Sequence, residues 1–168
     1  KGNVPQVGTV LPHDVVEFIA GDVGPDTAGV FRLFIDGSDV GLTTSGEKLD
    51  AIALDKDGKL LLSTAGNGNV AGLGAFADED VIRLDANSYG AATAGTWSMA
   101  FDGSDVGLGG TDINSGWQSR SLTASGYPLS FSVLNNLGLG GLPFDDDDIA
   151  RCNQPTYGPN SWCASWSK

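Results

Sequence analysis

The stretch Asp36-Gly37-Ser38-Asp39-Val40-Gly41-Leu42 returns letter for letter as Asp102-Gly103-Ser104-Asp105-Val106-Gly107-Leu108. Sliding the chain on itself by the same offset pairs Asp14-Val15 with Asp80-Val81 and Thr27-Ala28-Gly29 with Thr93-Ala94-Gly95, with no gap between Asp14 and Leu42. The chain is an internal repeat, and every other segment is read by its place in that repeat.

Upstream of the stretch, Val15-Val16-Glu17-Phe18-Ile19 reads as a strand, Gly21 to Gly29 as a loop and Val30 to Ile35 as the return strand of a hairpin, here called A. A period of two places Phe31, Leu33 and Ile35 on one core face, and the second copy fills those places with Trp97, Met99 and Phe101. Downstream, Leu49 to Leu54 and Lys59 to Ser63 form a second hairpin, B, around Asp55-Lys56-Asp57-Gly58, because glycine accepts the positive φ of a tight turn. The second B hairpin is expected to match Leu122 to Leu54 and Gly126 to Gly58, with two extra residues after Leu108, and to return through Leu129 and Phe131. Glycine loops then lead to acidic steps, Asp78-Glu79-Asp80 and Asp145-Asp146-Asp147-Asp148, after which Ile149-Ala150-Arg151 restarts A a third time. The expected fold is all-β, with about ten strands in internally repeated antiparallel hairpins ordered A-B-A-B-A. It is an up-and-down barrel or sandwich, or a set of propeller-like blades. Residues 13–168 are expected to form one domain, the second repeat starting near residue 79, and residues 1–12 an amino-terminal arm outside the repeat. That arm either folds along its own domain or adds as a strand to a neighbour's sheet edge.

Composition narrows the function classes. Glycine occurs 25 times in 168 residues, well above the usual ~7%, which suits a turn-rich β chain. A formal net charge of −12, with nine scattered Lys and Arg, speaks against nucleic acid. No apolar run is long enough to insert in a membrane. The chain opens on Lys1 rather than Met, and a leader is expected to have been removed. The two cysteines, Cys152 and Cys163, favour a disulfide and an oxidising compartment over a pair of buried thiols or half a metal site.

Three kinds of site are weighed. Asp36 and Asp39, and likewise Asp102 and Asp105, lie on glycine turns, and with Asp80 and a loop carbonyl they are candidate oxygen ligands for Ca2+. Against this, Asp-Gly is ordinary turn chemistry, and the full Asp-x-Asp-x-Asp-Gly ligand loop is not written here. Trp117, Trp162 and Trp166, with Tyr157, crowd the last third and are candidate stacking surfaces for glycans, although aromatics of a β protein more often fill its core. Catalysis has little support: the single histidine, His13, stands where the second repeat has Glu79, and nothing singles out two carboxylates as an acid and base pair. No enzymatic activity is expected.

With Asp-Gly-Ser-Asp-Val-Gly-Leu after an aromatic strand, an Asp-Glu-Asp-Val step and a Leu-Leu-Ser-Thr return strand, the chain resembles repeat segments of large secreted, surface-associated bacterial proteins over nearly all its length beyond Leu11. The resemblance implies an extracellular, cell-surface location and a non-catalytic structural or adhesive role. It also implies a cysteine pair spanning the A loop, which Cys152 and Cys163 match in the third unit only. The expectation is a secreted β-repeat protein that associates with itself or with other surface proteins, as in a filament. The competing expectation is a carbohydrate-binding module.

Overall fold

The computed structural model describes residues 1–118 and 127–168, the side chain of Trp117 excepted. The described residues carry sixteen strands: β1 (Gly2–Val4), β2 (Gly8–Val10), β3 (Val15–Asp22), β4 (Ala28–Ile35), β5 (Leu49–Leu54), β6 (Leu60–Thr64), β7 (Gly68–Val70), β8 (Gly74–Phe76), β9 (Val81–Ser88), β10 (Ala94–Phe101), β11 (Ile113–Gln118), β12 (Leu129–Val133), β13 (Leu137–Leu139), β14 (Leu142–Phe144), β15 (Ala150–Asn153) and β16 (Ser165–Ser167). Their pairings are antiparallel, as the hairpin reading requires.

Each B hairpin pairs with the A hairpin that follows it. Strands β5, β6, β9 and β10 form one four-stranded meander, and β11, β12, β15 and β16 form a second, the strand arrangement of a propeller blade. The first A hairpin, β3–β4, stands as a two-stranded sheet. Strand β11 lies against β5, so the two meanders stack face to face. Among the described residues the sheets stay open and close no barrel.

Stacking explains the run Leu60-Leu61-Leu62, which breaks the alternation expected of a half-buried strand. Leu60 and Leu62 sit in a core shared with Ile35, Leu42, Leu84 and Trp97, while Leu61 sits in a second core with Phe101, Leu108, Ile113 and Phe131. A strand covered on both faces is apolar on both faces. Burying each such leucine contributes about 2 kcal/mol.

Three expectations need correction. First, Trp97 and Phe101 do not share a core face: the register slips between Met99 and Phe101, and this bulge turns Phe101 into the core of the next sheet. The same slip between Val15 and Val16 precedes Ile35 in the first copy. Second, the amino-terminal run belongs to the repeat. Strands β1 and β2 pair as Gly2↔Val10, Asn3↔Thr9 and Val4↔Gly8, and β7 and β8 pair identically as Gly68↔Phe76, Asn69↔Ala75 and Val70↔Gly74. The third copy is β13–β14. These short hairpins account for the excess over ten strands. Third, the second B hairpin begins earlier than its alignment suggested. Ile113 and Gln118 occupy the ladder places of Leu49 and Leu54, so the connection after Leu108 is shorter, not longer. Leu122 and Gly126 lie outside the described residues.

The Cys152–Cys163 disulfide is present, with a Cα–Cα distance of 5.4 Å, inside the ordinary range. Its position is a repeat position. Gly29 lies over the Phe18 ring and Gly95 over Leu84, and the third copy fills the same two places with the bonded cysteines.

Candidate functional site

The repeated stretch folds as a corner that carries the chain from one sheet to the next. A single 3-10 turn covers Ser38–Val40, and another covers Ser104–Val106. Each ends on a glycine at positive φ, 93° at Gly41 and 91° at Gly107, where a side chain would be strained. The Leu42 amide then donates to the Gly37 carbonyl, and that of Leu108 to Gly103, at 2.9 Å each. Both leucines are fully buried.

The first glycine of the corner has a different reason. Gly37 and Gly103 have ordinary φ values of −65° and −70°. A Cβ at either would sit 2.1 Å from the carbonyl oxygen of His13 or Glu79, inside contact distance. The corner is pressed onto the acidic step, and Asp14 and Asp80 complete that contact. Asp80 Oδ1 accepts from the Gly103 amide at 3.0 Å and Oδ2 from Ala77 at 2.8 Å. Asp14 does the same for Gly37 at 3.1 Å and Leu11 at 2.6 Å.

The corner carboxylates each commit one oxygen. Asp36 Oδ1 accepts from the amide and hydroxyl of Ser38 at 3.1 and 2.6 Å, and Asp102 does so from Ser104 at 3.1 and 2.7 Å. Asp39 Oδ2 reaches across to the Thr93 amide at 3.0 Å, while the Asp36 amide donates to Thr93 Oγ1 at 2.9 Å. One repeat later Asp105 holds the Ser161 amide at 3.0 Å and the Asp102 amide donates to Ser161 Oγ at 2.9 Å. Parallel bridges Ile35↔Gly90 and Phe101↔Gly158 lie beside these clamps. In the first corner, Trp97 Nε1 adds a bond to the Val40 carbonyl at 2.8 Å.

Carboxylates that accept backbone N–H groups serve turn and sheet closure. The calcium set Asp36, Asp39, Asp80, Asp102 and Asp105 is distributed over two corners. Among the described residues no three His, Cys, Asp or Glu side chains converge to hold an ion. Hard cations take six to eight oxygens, and in each corner one oxygen of each carboxylate is already taken by an N–H or hydroxyl donor.

Thr93, Ser161 and Glu47 escaped the sequence reading. The first two were findable, since Thr93 lies in the aligned Thr-Ala-Gly block. Glu47 had no such signal. Its buried carboxylate accepts from Thr43, Thr44 and Asn69 at 2.8, 2.7 and 3.0 Å. Burial pushes its pKa up, but the amides of Asn69, Thr44 and Thr43 outweigh that and hold it below the ordinary carboxyl value.

The aromatics separate. Trp166 packs edge-on against Phe131 with centroids 5.8 Å apart. Trp162 is 58% exposed on the disulfide loop. Tyr157 donates to the Tyr127 carbonyl at 2.6 Å, and burial pushes its phenol up to about 12. The side chain of Trp117 is outside the described part. His13 is buried with Nε2 unpartnered, and its main chain lies beneath the corner glycine Gly37.

Asp50 faces Asp112, both half-buried, and the nearby backbone amides of Asp50 and Ala51 only partly offset the opposing carboxyl. Burial first, then the hydrogen bond and charge of Asp112, push Asp50 up to about 7, and burial raises Asp112 as well. The folded chain therefore binds a proton more tightly here than the unfolded chain. The stability this confers is complete below the ordinary value of 3.8 and is lost as pH rises through about 7. With screening of the half-exposed pair taken into account, wild type is expected to lose on the order of 1–2 kcal/mol between about pH 4 and pH 8 at this site. Asp50→Asn should remove that slope. Urea midpoints of both proteins across this range check it, and parallel curves would contradict the shared proton.

No known protein family, no curated protein and no solved structure matches the chain.

Proposed function

We propose that the chain is a non-catalytic extracellular scaffold: a structural or adhesive repeat segment that works in a cell-surface polymer or filament. The observation that carries this reading is the use of the repeated acids. Asp80 and its repeat partner Asp14 direct both oxygens at backbone amides, and Asp39 and Asp105 direct one each at an amide of the neighbouring turn. A general acid or base must instead present its oxygen to a substrate. The repeat machinery is joint machinery. The disulfide supports an oxidising compartment. Among the described residues no helix is long and apolar enough to cross a membrane. Stacked sheets also present two dissimilar end faces, and head-to-tail contact between dissimilar faces builds open filaments.

Size exclusion and negative-stain microscopy of material from the native source test the proposal. Fibres or ordered surface arrays are expected, and a monomer without fibres at high concentration would remove the polymer version. Glycan binding is favoured by one observation, the exposure of Trp162. Glycan-array signal that disappears in Trp162→Ala would move the reading from scaffold to carbohydrate recognition.

A further inference from the structure

We propose that the β3 end of the molecule is a docking surface for one occupant. That occupant is a segment of a like repeat, an Asp-Gly-Ser-Asp corner followed by a hairpin of the β5–β6 kind, which adds its return strand to β3. The proposal deepens the scaffold reading and rests on it, and the repeat itself shows what covers such a surface.

In the second copy β9 is paired on both sides, its outer edge taking β6 through Leu60↔Leu84, Leu61↔Arg83 and Leu62↔Ile82. In the third, β15 takes β12 through Leu129↔Cys152, Ser130↔Arg151 and Phe131↔Ala150. The matching residues of β3 are Val16, Glu17 and Phe18, and among the described residues β3 pairs with β4 alone. The consequence is visible in exposure: Leu84 and Cys152 are at 0%, and Phe18 is at 40%. Beside this open edge runs a groove lined by Val16, Glu17, Phe34, Ile52, Leu54 and Leu60. Ile52 and Leu54 are exposed. An unpaired edge flanked by an apolar groove is the receptor geometry for strand addition, where main-chain bonds give affinity and alternate side chains fill the groove.

The corner half of the occupant has its own place on the same hairpin. The turn Gly24–Thr27 has the same internal bond as its two copies. Thr27 Oγ1 donates to the Gly24 carbonyl at 2.7 Å, as Thr93 does to Gly90 at 2.6 Å and Ser161 to Gly158 at 2.7 Å. In those copies the hydroxyl oxygen takes a corner amide and the Thr or Ser amide takes a corner carboxylate. At Thr27 the hydroxyl oxygen is instead filled by the Gly24 amide at 3.1 Å. Strand edge, groove and turn meet in the arrangement that one contiguous corner and hairpin occupies in the next sheet.

Charge distinguishes the β3 edge from its two copies. Arg83 and Arg151 sit at the centre of the paired edges, and the Arg83 guanidinium lies 3.6 Å from Asp55 in the β5–β6 turn. In β3 that place is Glu17. Glu17 is ion-paired with Arg32 across the hairpin, where the second copy has Ser98 opposite Arg83, so the cation that meets Asp55 in the second copy is replaced on β3 by a Glu17–Arg32 pair.

The test uses the whole chain and a synthetic peptide of residues 35–65, which holds corner and hairpin but bears Asp55. Glu17→Arg combined with Arg32→Ser, which reproduces the facing Arg83 and Ser98 of the second copy, is expected to bind the peptide about fivefold or more tighter than wild type, because the new arginine can meet Asp55. A peptide with Asp36 and Asp39 both changed to Ala should bind about tenfold more weakly. A second arm fuses residues 35–65 to the amino end through a flexible linker, which supplies an effective concentration in the millimolar range. Hydrogen exchange is then read at β3, with β9 as the folded reference. The β3 amides should slow by about tenfold or more. Equal binding by wild type and the variant with Glu17→Arg and Arg32→Ser would overturn the role given to Arg83 and Asp55 in pairing the two hairpins. Unchanged β3 exchange in the fused chain carrying Glu17→Arg and Arg32→Ser, with β9 still protected, would overturn the docking itself. Slowed β3 exchange in a protein that forms no fibres would leave the docking standing and remove only the polymer.

Discussion

Gly103→Ala is expected to lower stability by about 3 kcal/mol or more, and Gly37→Ala by a similar amount, which is large for the addition of one methyl group. The cause is not backbone freedom, since both glycines have φ values that alanine adopts readily. The added Cβ would lie 2.1 Å from a main-chain oxygen, and 2.8 Å from its carbon, in the acidic step beneath. A backbone oxygen held between Asp14 or Asp80 and the following strand cannot swing aside as a long side chain can. Relief would require lifting the corner, which breaks the Asp80 bond to the Gly103 amide and uncovers the fully buried Leu108. Urea denaturation of Gly37→Ala, Gly103→Ala and Gly58→Ala separates the explanations. Gly58 has φ 80° and nothing within 4 Å of the point where a Cβ would stand, so it should show only the smaller cost of strain in a turn, about 1 kcal/mol. Similar losses at all three sites would mean that the corner glycines are ordinary turn residues.

Removing the Cys152–Cys163 bond is expected to cost on the order of 3 kcal/mol, the loop-closure value for a crosslink of this span. The loss should appear locally before it appears globally. Among the described residues strand β16 pairs with β15 alone, through three residue pairs, and the disulfide ties the segment before β16 to the centre of β15. The second copy holds the equivalent strand β10 by a much longer ladder with β9. Reduced protein, or Cys152→Ala with Cys163→Ala, should therefore exchange its β15–β16 amides fast while β9 and β10 stay protected. Oxidised and reduced proteins that melt at the same temperature would contradict this.

The repeat was legible in the sequence because its letters are identical, and with it the A hairpins, the β5–β6 turn and the equivalence of His13 with Glu79. The turn is as read: the Asp55 amide donates to Lys59 at 2.8 Å and Gly58 takes positive φ. Other features were hidden for physical reasons. Strands of three residues such as Gly2–Val4 carry almost no propensity signal, and Gly2-Asn3-Val4 against Gly68-Asn69-Val70 is visible only to an alignment carried upstream of Asp14. The bulge before Phe101 breaks the period of two without any marker residue. Whether a B hairpin joins the A hairpin before or after it depends on how the corner turns, which is tertiary information. At the site, the sequence showed which acids repeat but not what their oxygens face. A carboxylate aimed at a cation and one aimed at an amide are written with the same letter.

The most direct measurement is a set of thermal melts of wild type and of Asp39→Ala with Asp105→Ala, each in EDTA, in Ca2+ and in NaCl of matched ionic strength. If the corner is a joint between sheets, each substitution removes a charge-assisted bond to a backbone amide and costs about 1.5–3 kcal/mol. The double variant should then melt lower by the same interval in all three solutions, and the wild-type midpoint should be the same in EDTA and in Ca2+. A wild-type midpoint that rises in Ca2+ over matched NaCl, with the rise abolished in the double variant, would contradict the joint and make the repeated acids an ion site.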